Sequence, residues 1–167
     1  MLGRGGEEAI ALRAAGIPVD VVPGVTSAVA AAELAGIPVT HRGLSSAFLV
    51  VSGHDVEAFA GAVGQLLPNG VTLVVMMGVG RRVELAAHLI DRRWSLDTPV
   101  AIVSAASTTR QQTWRGVLAD VARGSSVGDT IAEDDPAVIV VGEVAALDVT
   151  AAHIFAPVAR KKNVLNS

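Results

Sequence analysis

Apolar residues in this chain fall into two rhythms. The first is a set of short unbroken blocks. Residues 47–52 (AFLVVS), 71–77 (VTLVVMM), 99–103 (PVAIV) and 137–141 (AVIVV) are rich in Val and too short for helices. They predict strands covered on both faces. The second rhythm repeats every three to four positions. Residues 7–15 have helical composition, with Gly16 placed to end a helix. Thr26 or Ser27 can cap a helix through Ala35, which Gly36 ends and Pro38 follows. Residues 56–67 read as an amphipathic helix, and residues 83–93 as another with apolar positions at Val83, Ala86, Ala87 and Ile90. Residues 19–22 predict a short strand, 111–118 a strand and 119–123 a short helix. Residues 124–135, rich in Gly, Ser and acids, predict a loop, and the pattern is lost after Asp148.

Helical segments alternating with buried strands predict an α/β layer structure, with a mostly parallel or mixed sheet, flanking helices and one or two strands arriving by hairpin. In such a sheet, ligands bind beyond the carboxyl ends of the strands. The residues expected there are 23–27 (PGVTS), 52–55 (SGHD), 76–80 (MMGVG), 104–108 (SAAST) and 142–143 (GE). Nearly all are small, polar or Met. Bulky aliphatics fill the strands and vanish at their ends, which predicts a cleft where a slender ligand lies against backbone groups. Neither a Gly-x-x-x-x-Gly-Lys phosphate loop nor a strand followed by Gly-x-Gly-x-x-Gly is present.

Composition narrows the choice. Apolar residues make up 51 % of the 167, but aromatics only 3 %, so the core must come from small aliphatics. A net charge of −3 offers no broad basic field, which argues against nucleic acid or a membrane surface as partner. With no Cys, disulfides and thiolate metal sites are excluded, and the four His show no ligand spacing, so no metal is expected. No apolar run approaches the ~20 residues of a membrane span and no signal peptide is recognisable, which leads us to expect a cytoplasmic protein.

Each candidate position admits a plainer reading. Thr26 and Ser27 can serve as helix caps alone. Met77 can fill a core gap. His41-Arg42 can be a solvated loop pair, and no carboxylate partner can be assigned to His54 from the sequence.

Seven segments together resemble a known family. GRGGEE (3–8), AGIPVDVVPGVTSA (15–28), AGIPVTHRG (35–43), VVSGH (50–54), LVVMMGV (73–79), DTPVAIV (97–103) and PAVIVVGEV (136–144) follow the order seen in the tetrapyrrole methylase family. The Thr-His-Arg after Gly-Ile-Pro-Val is similar to the uroporphyrinogen-III C-methyltransferase branch. The resemblance implies a transferase that uses S-adenosylmethionine, leaves S-adenosylhomocysteine, and methylates uroporphyrinogen III twice on carbon to give precorrin-2, the precursor of sirohaem and cobalamin. It implies two α/β domains with the donor in the cleft between them, within a homodimer.

Position by position, the resemblance makes Thr26, Ser27 and Met77 donor contacts and sets Ala137 near the adenine. Ala106 stands where the family has a Gly. His41 and Arg42 become candidates for holding substrate carboxylates, with Arg110 as a third; Gly43 replaces the family's usual Asp. The family carries an upstream half with a Gly-rich loop, a Gly-Gly-Asp-Pro and the residues expected to move protons. By this reading residues 1–22 are the end of a first domain and its connection, 23–148 a C-terminal domain, and 149–167 a tail. The catalytic acid and base are then expected outside the chain. The rival readings are a non-catalytic donor-binding or dimerising half, and a generic nucleotide-binding α/β domain.

Overall fold

The structure, a computed structural model, describes residues 5–150 apart from 65, 67, 69, 125, 126 and 133. Helix α1 (Gly5–Ala14) comes first and α2 (Ser27–Leu34) second. Strand β1 (Ala47–Ser52), α3 (Val56–Val63), β2 (Val71–Met76) and α4 (Arg82–Asp91) follow. A hairpin of β3 (Pro99–Ser104) and β4 (Gln112–Val117) leads into α5 (Leu118–Arg123), a single turn α6 (Val127–Thr130) and β5 (Ala137–Val141).

The strands form one five-stranded sheet in the order β1-β2-β5-β3-β4. Only β1 and β2 pair in parallel; β5 runs antiparallel to both β2 and β3, and β4 antiparallel to β3. The expected α/β class is found, with the sheet in its mixed form. The two faces separate along each strand with period two. Leu73, Val75, Val100, Ile102, Ile139 and Val141 point into a core with α3, α4 and α5. Val74, Ala101, Val103, Val138 and Val140 point into a second core with Ala28, Ala31 and Ala32 of α2. Burying each of these Val, Leu and Ile side chains contributes about 1.5–3 kcal/mol, and each alanine methyl about 0.8 kcal/mol. The all-apolar β5 is central because both its faces are covered.

Helix caps follow the expected chemistry. Gly16 and Gly36 take positive φ (75° and 71°). In each case the following residue donates back across the last turn, Ile17 N to Leu12 O at 3.0 Å and Ile37 N to Ala32 O at 2.8 Å. This is the closure that favours glycine after a helix. Thr26 caps α2 through a 3.3 Å bond from Ala28 N, and Asp55 caps α3 through a 2.8 Å bond from Ala58 N.

Several expectations need correction. Residues 19–22 form no strand: no ladder pairs them with a neighbour, and Val22 stays exposed. β1 is an edge strand with Phe48 exposed, not a strand covered on both faces. α3 ends at Val63, where Gly64 follows and its carbonyl accepts from Arg92 Nη1 at 2.8 Å. On α4 the buried side is Leu85, Ala86 and Leu89, with Val83 exposed, because the two leucines offer more apolar surface than Val83 and Ala87. The loop at 124–135 is anchored by α6, whose Val127 is buried in the core together with the following Ile131.

Candidate functional site

The site is fixed by the direction of β5. The carboxyl ends of β2 and β3 lie beside the amino end of β5, since Met76 pairs with Val138 and Ser104 with Ala137. Gly142 and Glu143, expected at this end, therefore lie at the other one. Pro136 and Ala137 take their place.

Helix α2 crosses above this end of the sheet, its alanines allowing close approach. A cleft of about 370 Å³ opens between them, lined by Ser27 and Ala31 of α2, Met76, Met77 and Val103 at the strand ends, the turn residues Ala105, Ala106, Thr108 and Arg110, and Pro136 to Val138. A second hollow of about 660 Å³ adjoins it, sharing Ser27 and Met76 and walled by the segment from Val21 to Thr26. Its exposed Val22 and Val25 make that wall apolar.

Four of the five residues expected to contact the donor thus line one cleft: Ser27, Met77, Ala106 and Ala137. Thr26 lines the adjoining hollow while its hydroxyl is engaged as the cap of α2. Sequence reasoning missed Pro136, which enters through the reversal of β5.

The cleft walls are held in unusual backbone conformations. Met77, Ala105 and Ser107 have positive φ of 56°, 45° and 68°. Side-chain-bearing residues adopt this region at a cost, and such residues cluster at functional sites. Local bonds hold the 105–111 turn in shape. Thr108 Oγ1 donates to Ala105 O at 2.7 Å, and Ser107 N donates to Gln111 Oε1 at 3.0 Å. Ala105 N donates to Pro136 O at 2.9 Å, fastening the turn to the start of β5. Beneath Met77, Gly53 and Gly78 pack backbone to backbone; a Cβ on Gly53 would meet Gly78 Cα at 2.7 Å. Only glycine leaves room for that approach.

His41 and Arg42 are not brought into the cleft. They sit in a tight turn closed by the His41–Ser45 bridge, and Ser46 N bonds to Gly70 O just before β2. That is the amino end of β1 and β2, about 20 Å from the cleft by strand rise. His54 and Asp55 also stay outside. The Asp55 carboxylate is held below its ordinary range chiefly by the bond from Ala58 N–H. Arg110 does line the cleft. No carboxylate or imidazole lines the cleft or the adjoining hollow among the described residues.

A mixed five-stranded α/β sheet whose strand ends close under a small-residue helix defines the class, and sequence comparison specifies it. Residues 1–122 match the family of tetrapyrrole (corrin/porphyrin) methylases, and the chain belongs to that family. It is 40 % identical over 146 residues to a uroporphyrinogen-III C-methyltransferase of Methanocaldococcus jannaschii, a match that covers 86 % of this chain and 59 % of that protein. It is 42 % identical over 146 residues to a siroheme synthase of Chromobacterium violaceum, covering 87 % of this chain and 30 % of the other. Among solved structures, the uroporphyrin-III C-methyltransferase of Thermus thermophilus complexed with S-adenosylhomocysteine superposes with a TM-score of 0.70 at 38 % identity, covering 86 % of this chain and 61 % of that one. The chain thus spans about three-fifths of the length of the two C-methyltransferases.

Proposed function

We propose that the cleft binds S-adenosylmethionine and that the chain serves C-methylation of uroporphyrinogen III to precorrin-2. The observation that carries this reading is the convergence of Ser27, Met77, Ala106 and Ala137 on one cleft, in a chain 38 % identical to a transferase solved with the donor's product. The walls fit such a ligand. Alanines and Ser27 leave backbone groups accessible, Met76 and Met77 give an apolar surface, and the volume suits a slender molecule.

The donor, when bound, supplies an electrophilic methyl carbon on a sulfonium. The chain's own part is alignment and exclusion of water. The strained backbone at Met77 and Ala105 holds one wall in place before the ligand arrives. The Thr26-capped start of α2 fixes the other, with the Ser27 hydroxyl at the rim. Attack by a pyrrole carbon forms the C–C bond, breaks the S–C bond and obliges the macrocycle to lose a proton. Neither wall offers a base for it.

The same proposal includes a homodimer, a cytoplasmic setting, and residues 1–22 as the connection from a preceding domain. His41 and Arg42, at the far end of the sheet, would then hold substrate carboxylates only from a neighbouring subunit. No helix among the described residues is long and apolar enough to cross a membrane.

Incubation with methyl-labelled S-adenosylmethionine and uroporphyrinogen III tests the reading: label in the tetrapyrrole is expected, and a chain that neither transfers label nor binds S-adenosylhomocysteine would overturn it. The lack of a carboxylate or imidazole in either wall among the described residues favours a second reading, a non-catalytic donor-binding portion. Binding of S-adenosylhomocysteine without transfer would select that one.

A further inference from the structure

Arg110 is the one charged residue lining the cleft among those described. It stands on the ridge between the cleft and a neighbouring hollow of about 440 Å³ walled by Gln112, Gly128, Thr130, Ala132 and Asp135. Its guanidinium Nη1 is 2.9 Å from Asp135 Oδ1, the residue just before Pro136 in the cleft wall. The two partners differ in setting. The Arg110 side chain is 70 % exposed, whereas that of Asp135 is 19 % exposed. The acid is thus fixed within the wall and the cation is free to swing.

An ion pair with so exposed a cation is weakly held, because water screens it and ordering a long side chain opposes it. Arg110 presents a planar fork suited to carboxylate. Asp135 itself supplies the carboxylate in the structure as it stands. We propose that Asp135 is a built-in stand-in, and that Arg110 exchanges it for a carboxylate of the ligand entering the cleft. The shared chemistry is a carboxylate; its source is either the amino-acid end of the donor or a side chain of the polycarboxylate tetrapyrrole. This inference rests on the reading of the cleft as the donor and substrate site. It makes Arg110 a specificity-determining residue and Asp135 its competitor.

A competitor and a support act with opposite sign, and that difference provides the test. The chain, Arg110→Ala and Asp135→Asn are each titrated calorimetrically with three probes: S-adenosylhomocysteine, uroporphyrin III, and methylthioadenosine, which keeps the adenosyl thioether but has no carboxylate. Arg110→Ala is expected to weaken one carboxylate probe about fivefold to tenfold, in keeping with a charge-assisted bond at a partly exposed site. Asp135→Asn is expected to tighten the same probe by about threefold, since it removes the competing charge. Methylthioadenosine should bind all three proteins alike. The probe whose affinity moves identifies the source of the carboxylate. If both variants weaken binding, or methylthioadenosine shifts equally, the pair is a structural strap and the exchange is refuted. If the chain binds S-adenosylhomocysteine and neither variant changes anything, the reading of the cleft stands and this inference fails. If the chain binds none of the probes, the reading of the cleft fails and the exchange with it.

Discussion

Arg115 gives the sharpest test of how the cleft helix is held. It lies on β4 opposite Ala101, on the face that α2 covers. Its Nη1 donates to Ala145 O and Leu147 O, both at 2.7 Å, and its Nη2 to Ala35 O at 2.8 Å. One guanidinium therefore ties the end of α2 to the turn after β5 through carbonyls that both segments present to it. Its positive charge also suits a helix carboxyl end. Hydrogen bonds to charged groups net about 1.5 kcal/mol or more each, and discounting to about 1 kcal/mol for a half-buried side chain gives Arg115→Ala a loss of about 3 kcal/mol. Lysine offers a single ammonium in place of a fork, so Arg115→Lys should lose about 2 kcal/mol. Urea unfolding followed by fluorescence of Trp94 and Trp114 measures both, against a total stability of about 5–15 kcal/mol. A loss below about 1 kcal/mol for Arg115→Ala, or a lysine variant equal to the parent, would refute the claim that this clamp orders α2.

Three further outcomes are expected. Ser27→Leu places a branched side chain in the cleft mouth and should weaken S-adenosylhomocysteine at least about tenfold by calorimetry, while the melting temperature stays within a few degrees, because Ser27 is not in the buried core. Gly53→Ala drives a methyl against Gly78 Cα, Leu85 and Val75, and should cost about 1–3 kcal/mol in denaturant unfolding; an unchanged midpoint would show that the two glycines do not need their close approach. Acid should loosen the start of α3. The folded Asp55 carboxyl titrates below its ordinary 3.8, so its cap is complete above that value and is lost as pH falls through the lower folded value. Amide exchange at Ala58 should accelerate over that window, and Asp55→Asn should abolish the pH dependence.

Much of this fold was legible because period and caps are local properties. The all-apolar block at β5 marked a strand covered on both faces, and Gly16 and Gly36 marked helix ends, each from a few adjacent residues. Direction is not local. A block such as AVIVV reads alike in either sense, so nothing in its pattern told that β5 enters between β2 and β3 antiparallel and carries Ala137 rather than Gly142 to the cleft. Residues 19–22 have strand composition, but a strand also needs a neighbour, which periodicity does not report. The small residues at the strand ends announced a cleft, and four of the five residues that family resemblance singled out as donor contacts do meet there. His41 and Arg42 were placed by motif alone, and the turn that holds them lies at the opposite strand ends. Arg115 and the Arg110–Asp135 pair were invisible, since an Arg on an edge strand reads as solvated until the segments it bridges, up to 80 positions away, are folded beside it.

We place the methyl donor at the end of the sheet under α2. Amide chemical-shift mapping of the labelled chain with S-adenosylhomocysteine tests it directly. Saturable shifts are expected at Ser27, Ala31, Met77, Ala105 to Thr108 and Ala137. Shifts confined to the turn around His41 and Arg42, or none at millimolar ligand, would contradict it.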